Sequence, residues 1–81
     1  MKHHKIKLDE IYVPTALRLP IDAAKVQALA EDIAENGQQT PILVRADKAR
    51  YVLVEGLHRI EACKALGETT IIASLVQPRK H

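Results

Sequence analysis

The stretch around Gly56 places the strongest limit on the fold of this 81-residue chain. Residues 51–55 are rich in strand-forming side chains, and residues 57–66 have the composition of a helix that ends at Gly67. A strand, a sharp corner at the glycine and a helix are therefore predicted in direct succession. The first N–H groups of such a helix have no partner within it, so they attract anions, phosphate in particular.

The first half of the chain predicts one or two short strands and a helix. Apolar residues alternate over residues 6–13, which favours strands that end at Pro14, and residues 15–20 read as a loop. Asp22 is a good N-cap for a helix that ends at residues 36–37, Asn-Gly. One face of this helix carries an apolar stripe at helical spacing: Val26, Leu29 and Ile33.

The second half predicts a hairpin, the second helix and a last strand. Residues 41–45 and 51–55 are the two hairpin strands, with residues 46–50 as a five-residue turn. Residues 69–76 are rich in β-branched side chains and predict the last strand. We therefore expect a single α+β domain over residues 1–81, a small mixed β-sheet covered by two main helices. Residues 1–5 and 78–81 are expected to be flexible tails.

Composition narrows the class of protein. Apolar residues make up 47% of the chain, with no Phe or Trp, so the core must come from Ile, Leu, Val and Ala. The formal charge of +2 makes DNA a possible partner but not a favoured one, because a basic face and stacking aromatic residues are missing. One cysteine excludes an internal disulfide and favours a reducing, cytoplasmic compartment. No apolar run approaches the roughly 18 residues that span a bilayer, so no membrane partner is expected.

Three cations lie in the first turns of the two predicted helices: His58 and Arg59 after the glycine, and Lys25 after Asp22. Each opposes the helix dipole, at a cost of about 0.3–1 kcal/mol. Either they form an ordinary solvated surface, or they share a bound polyphosphate with the backbone N–H groups. Both interpretations remain open at this point. Arg18, in the loop before the first helix, is a further candidate for the same anion.

Two other side chains near the corner bear on chemistry. Glu55 is the acid best placed to meet a metal ion or a water molecule near the phosphates, and its alternative is an exposed charge at a strand end. Cys63 falls on one helical stripe with Ile60 and Leu66. We predict that Cys63 is buried, with an unperturbed or raised pKa, and is therefore a poor nucleophile. No metal site made of protein ligands is expected.

The chain resembles sulfiredoxin in residues 22–29, in residues 73–77 and in the motif Gly56-Leu57-His58-Arg59. The resemblance implies binding of ATP or ADP with Mg²⁺, with Lys25, Gly56, Leu57, His58, Arg59 and Arg18 as cofactor-binding residues. It also implies a peroxiredoxin-like protein as a partner, because sulfiredoxins repair peroxiredoxin sulfinic acid. Leu57 stands where that family has its catalytic cysteine, so the usual repair route is not expected.

Residues 29–37 and 39–42 are similar to the N-terminal domain of ParB partition proteins, which share a superfamily with sulfiredoxin. ParB domains bind CTP through a Gly-Glu-Arg-Arg-x-Arg-Ala motif. In this chain Gly56, Arg59 and Ala62 match that motif, whereas Leu57, His58 and Glu61 do not. The combined resemblance extends from about Ile6 to Gln77 and implies the ParB/sulfiredoxin-like fold.

These observations leave three functional hypotheses. The first is a nucleotide-binding domain that hydrolyses ATP or transfers its phosphoryl group, with Glu55, His58 and Arg59 as catalytic residues. The second is a ParB-like module associated with DNA, which binds CTP or acts as a nuclease. The third is a residual sulfinic acid reductase that uses an external thiol.

Overall fold

The computed structural model describes residues 3–18 and 20–76 of the chain. Within these residues it has the following strands and α-helices in chain order: β1 His3–Lys7, β2 Ile11–Tyr12, α1 Ala23–Asn36, β3 Ile42–Asp47, β4 Arg50–Glu55, α2 Leu57–Ala65 and β5 Thr70–Leu75. Two short 3-10 turns, Leu8–Glu10 and Thr15–Leu17, lie between β1 and α1. The predicted α+β class is confirmed.

The strands form a mixed sheet in the order β1-β5-β3-β4-β2. The β1/β5 and β3/β4 pairs are antiparallel, and the β3/β5 and β2/β4 pairs are parallel. Because β4 and β5 run in opposite directions with β3 between them, the end of β4 and the start of β5 lie at the same edge of the sheet, and α2 connects them. The end of β4 and the start of α2 therefore meet at one edge of the molecule.

One face of the sheet packs against both helices. Ile42, Val44 and Leu53, at alternate strand positions, join Ile33 of α1 and Ile60 of α2 in a single hydrophobic cluster. The predicted aliphatic core is confirmed, and Val26 and Leu29 pack against its margin. Burying each such aliphatic side chain stabilises the fold by about 1.5–3 kcal/mol.

The hairpin turn is shorter than predicted. Ala46 and Asp47 pair with Tyr51 and Arg50, so only Lys48 and Ala49 form the turn, and the five-residue turn is wrong. Lys48 has a φ of 54°, a conformation that a two-residue hairpin turn commonly needs. The side chains of Asp47 and Arg50 form an ion pair at 3.5 Å across the turn.

Two smaller predictions are corrected. His3, His4 and Lys5 belong to β1, paired with β5, instead of to a flexible tail; residues 78–81 lie outside the described residues. Leu66 follows the end of α2 and is 37% exposed, so it leaves the stripe of Ile60 and Cys63. The Tyr12 side chain is 37% exposed, with the Arg50 guanidinium 4.3 Å from its ring centre.

In the part of the chain that the structure describes, neither helix is long and apolar enough to cross a membrane.

Candidate functional site

The corner between β4 and α2 has the predicted order of strand, glycine and helix. Leu43 pairs with Glu55 and Val44 pairs with Leu53, which leaves Val54 as an extra residue of β4. Such a β-bulge bends a strand and turns the following residues. It lies directly before Gly56, where the chain changes direction into α2.

Gly56 cannot carry a side chain in this fold. Its φ is 123°, in the range that other residues rarely adopt. A Cβ atom there would lie 2.5 Å from Cγ2 of Ile42, a buried residue of β3. The glycine therefore lets the start of α2 approach the sheet closely. The sequence indicated the corner, but not the contact with Ile42.

The start of α2 has free backbone donors. Gly56 is its N-cap and provides no side-chain acceptor. Among the described residues, the N–H groups of Leu57, His58 and Arg59 have no hydrogen-bond partner, and the first bond of the helix runs from Ile60 N–H to the Gly56 carbonyl. Unpaired donors at the positive end of a helix dipole suit an anionic group.

The start of α1 is different, because Asp22 already caps it. One carboxylate oxygen, Oδ1, accepts hydrogen bonds from the N–H groups of Ala24 at 3.1 Å and Lys25 at 3.2 Å. The predicted N-cap is therefore present, and its negative charge occupies the end of the α1 dipole. Of the two α-helices in the described residues, only α2 therefore has a start without a side-chain cap.

His58 joins the two helix starts. It is the second residue of α2, and its Nε2 atom accepts a hydrogen bond of 3.2 Å from the backbone N–H of Asp22. The pair is separated by 36 positions in the chain. Sequence reasoning missed this contact, because no local pattern connects a histidine on one helix with the backbone before another.

The predicted cations have unequal surroundings. Lys25 is exposed in the first turn of α1, and Arg59 is half-buried as the third residue of α2. Neither forms an ion pair with any described residue. The Nε atom of Arg18 donates to the Val13 carbonyl at 3.0 Å. Arg18 and Leu57 also line one open groove of about 410 Å³.

Glu55 ends β4 with an exposed side chain, one residue before Gly56. It makes no ion pair or side-chain hydrogen bond with the residues described. No group of three or more His, Cys, Asp or Glu side chains that could hold a metal ion occurs among residues 3–18 and 20–76. Glu55 is thus an exposed acidic residue next to Gly56, at the end of β4.

Cys63 is buried in the core, as predicted, with 2% of its surface exposed. Burial raises the pKa of its thiol, the negative charge of Glu68 adds to the increase, and the positive charge of Arg59 opposes it. A thiol that resists ionisation is a weak nucleophile. The prediction that Cys63 is structural therefore agrees with its surroundings.

Comparison with known proteins gives one family and several related structures. The sequence matches the ParB N-terminal domain family over residues 1–81. No curated protein shows significant sequence similarity to the chain. Sulfiredoxin from Arabidopsis thaliana is similar in structure, with a TM-score of 0.88 and 29% identity over 96% of this chain and 88% of that one.

Two nucleotide complexes share the fold at lower identity. The chromosome-partitioning protein ParB from Caulobacter crescentus, in complex with CTP-γ-S, has a TM-score of 0.82 and 22% identity, over 98% of this chain and 46% of that one. A free serine kinase in complex with ADP has a TM-score of 0.80 and 19% identity, over 95% of this chain and 32% of that one. The chain thus spans less than half the length of either protein.

Proposed function

The chain belongs to the ParB N-terminal domain family, with a ParB/sulfiredoxin-like fold, and on this premise we propose that it binds a nucleoside di- or triphosphate. The phosphates lie at the start of α2. One observation carries the proposal: the three N–H groups after Gly56 have no partner among residues 3–18 and 20–76, and the half-buried Arg59 lies in the same turn. Proteins of the same fold have been crystallised with CTP-γ-S, ADP and AMP.

The residues have distinct roles in this proposal. The N–H groups of Leu57, His58 and Arg59 donate to phosphate oxygens, and the guanidinium of Arg59 adds charge and directional hydrogen bonds. Lys25 contributes a second cation from the first turn of α1, which the His58–Asp22 hydrogen bond joins to α2. Gly56 fixes the position of these N–H groups, because it lets the start of α2 lie close to Ile42.

We propose ATP or ADP as the nucleotide, with Mg²⁺ arriving on the phosphate oxygens. Magnesium commonly binds to proteins through few carboxylates and the phosphates of its substrate. The side chains around Gly56 fit that mode, because Glu55 is the acid beside the corner and no three-residue metal cluster occurs in the described part of the chain. CTP is the alternative, since a ParB protein of this fold holds its thio-analogue.

We extend the proposal to slow hydrolysis of the terminal phosphate. Water adds to phosphorus, the bond to the bridging oxygen breaks, and ADP and inorganic phosphate are released. Glu55 would orient the water and accept its proton, while Arg59 stabilises the charge that develops on the phosphoryl oxygens. We propose that residues 1–81 form the single functional domain and that it acts in the cytoplasm.

Isothermal titration calorimetry with ATP, ADP and CTP, each with Mg²⁺, tests binding. We expect Arg59→Ala to weaken affinity by about tenfold or more, since a hydrogen bond to a charged group contributes about 1.5–3 kcal/mol. Lys25→Ala should weaken it by a smaller factor, because Lys25 is exposed. If none of the three nucleotides binds wild-type protein at millimolar concentration, the proposal is wrong.

The matched control is Lys48→Ala, which removes the same charge from the turn at the far end of β4. We expect it to leave affinity unchanged. An equal loss in Lys25→Ala and Lys48→Ala would show that Lys25 acts only through net charge.

Phosphate release measured with Glu55→Gln tests the hydrolytic step. The amide cannot accept the proton, so turnover should fall by about 10²-fold or more while nucleotide affinity changes little. Turnover that is equal in wild type and Glu55→Gln would remove Glu55 from the mechanism. Absence of turnover in the wild type would leave a binding domain without hydrolysis.

A further inference from the structure

The hydrogen bond at His58 defines the state of its imidazole. The Nε2 atom accepts from the backbone N–H of Asp22 at 3.2 Å, and an accepting nitrogen carries a lone pair in place of a proton. The ring is therefore neutral in this arrangement, with its proton on Nδ1. A protonated imidazole has only donors, so it would face the Asp22 N–H donor to donor.

Asp22 extends this contact into the first turn of α1. Its backbone N–H is held by His58, while its carboxylate holds the N–H groups of Ala24 and Lys25. Hydrogen bonds thus connect α2 to the first turn of α1: His58 bonds to Asp22, and Asp22 bonds to Lys25.

We propose that His58 is a positioning residue that acts as a neutral hydrogen-bond acceptor, holding the first turn of α1 against the open start of α2. Where it concerns phosphate, this inference rests on the proposed function. Lys25 and Arg59 then supply the cationic charge, and the His58 side chain supplies none. A side chain at position 58 that accepts this hydrogen bond should therefore support nucleotide binding, whereas a cationic phosphate ligand would require a positive charge there.

Other charged groups also lie on the elements that meet at His58, so a variant without the imidazole must be measured beside the wild type. They are Arg18 in the loop before α1, Asp22 and Lys25 at the start of α1, Glu55 at the end of β4, and Arg59 and Glu61 on α2. In His58→Gln these groups remain, and the amide oxygen takes the place of the accepting nitrogen. The difference between wild type and His58→Gln isolates the contribution of the imidazole.

Nitrogen NMR of the free protein tests the acceptor role without any nucleotide. At about pH 7.5 we expect the His58 ring to carry its proton on Nδ1. The Asp22 amide should be protected from hydrogen exchange in wild type and in His58→Gln, and should exchange faster in His58→Ala. A proton on Nε2, or equal protection of Asp22 in all three proteins, would overturn the proposal. His4→Gln, at an exposed position of β1, is the control for histidine assignment.

Calorimetry with ADP then tests whether His58 acts as a hydrogen-bond acceptor or as a cation. His58→Gln should bind ADP within about threefold of wild type, while His58→Lys should lose about tenfold, a change of about 1.4 kcal/mol. Circular dichroism confirms that each variant is folded before titration.

The reverse order, with His58→Lys binding normally and His58→Gln weakened, would make His58 a cationic ligand and end the proposal. Failure of wild-type protein to bind ADP or CTP would reject the proposed function instead. The NMR result alone would then decide the role of His58.

Discussion

Two independent features of the structure require glycine at position 56. Its φ of 123° is unfavourable for other residues, and a Cβ atom would overlap the side chain of Ile42, which is fully buried. Ile42 cannot move away easily, because core side chains are closely packed. The absence of a side chain at Gly56 thus allows α2 to begin close to the sheet.

Gly56→Ala should therefore lower the free energy of unfolding by about 2–5 kcal/mol, through backbone strain and overpacking together. Urea denaturation followed by circular dichroism measures the loss. The matched control is Gly67→Ala, where φ is 77° and, apart from the two adjacent residues, no atom of the described part of the chain lies within 4 Å of the added Cβ. That variant should lose only the backbone term, about 1–2 kcal/mol. Equal losses in the two variants would show that the contact with Ile42 has no energetic weight.

At the scale of elements, Gln38 completes the pairing between β3 and β5. Its side chain accepts a hydrogen bond of 2.7 Å from Ile72 N–H and donates one of 2.8 Å to the Ile72 carbonyl. It also donates to the Thr40 carbonyl at 3.0 Å. The amide thus provides the donor and acceptor of a strand residue just before β3 begins.

We expect Gln38→Ala to destabilise the protein by about 2 kcal/mol, because both polar groups of Ile72 lose their partner. Thermal or urea unfolding gives the value. Gln39→Ala changes an exposed neighbour of the same type and should remain within about 0.5 kcal/mol of wild type. If Gln38→Ala is as stable as Gln39→Ala, water replaces the Gln38 amide as the partner of Ile72, and Gln38 does not stabilise the pairing of β3 with β5.

At the scale of the whole molecule, burial of Cys63 makes the free energy of unfolding depend on pH. The thiol lies in the hydrophobic cluster shared by the sheet and both helices, and burial raises its pKa from the usual 9.0. In the unfolded chain the thiol ionises near its ordinary pKa, while the folded protein keeps it protonated. The unfolded state then binds fewer protons than the folded state, so the free energy of unfolding falls as pH rises.

Stability should accordingly decline above about pH 9, by at most about 1.4 kcal/mol per pH unit from this group. Urea unfolding at a series of pH values from about 8 to 10 measures the slope. Cys63→Ala serves as the comparison: its absolute stability is lower, but its decline with pH should be shallower. Parallel declines in both proteins would show that other groups cause the pH dependence.

Local sequence patterns were sufficient for most of the elements. The N-cap at Asp22, the strand before Gly56 and the aliphatic stripe of α1 are properties of short segments, so they are visible before folding. The hairpin turn was misjudged because strand pairing extended through Ala46 and Asp47, beyond what their weak strand propensity indicated.

The arrangement of the candidate site depends on contacts between distant segments. His58 meets Asp22 across 36 positions, and Gly56 meets Ile42 from the neighbouring strand. Residue spacing along the chain predicts which side chains share a helix or strand, but the distance between two such elements depends on how the whole core packs. The cationic residue types near the corner were therefore predictable, whereas the accepting role of His58 and the capped state of α1 emerged from the folded chain.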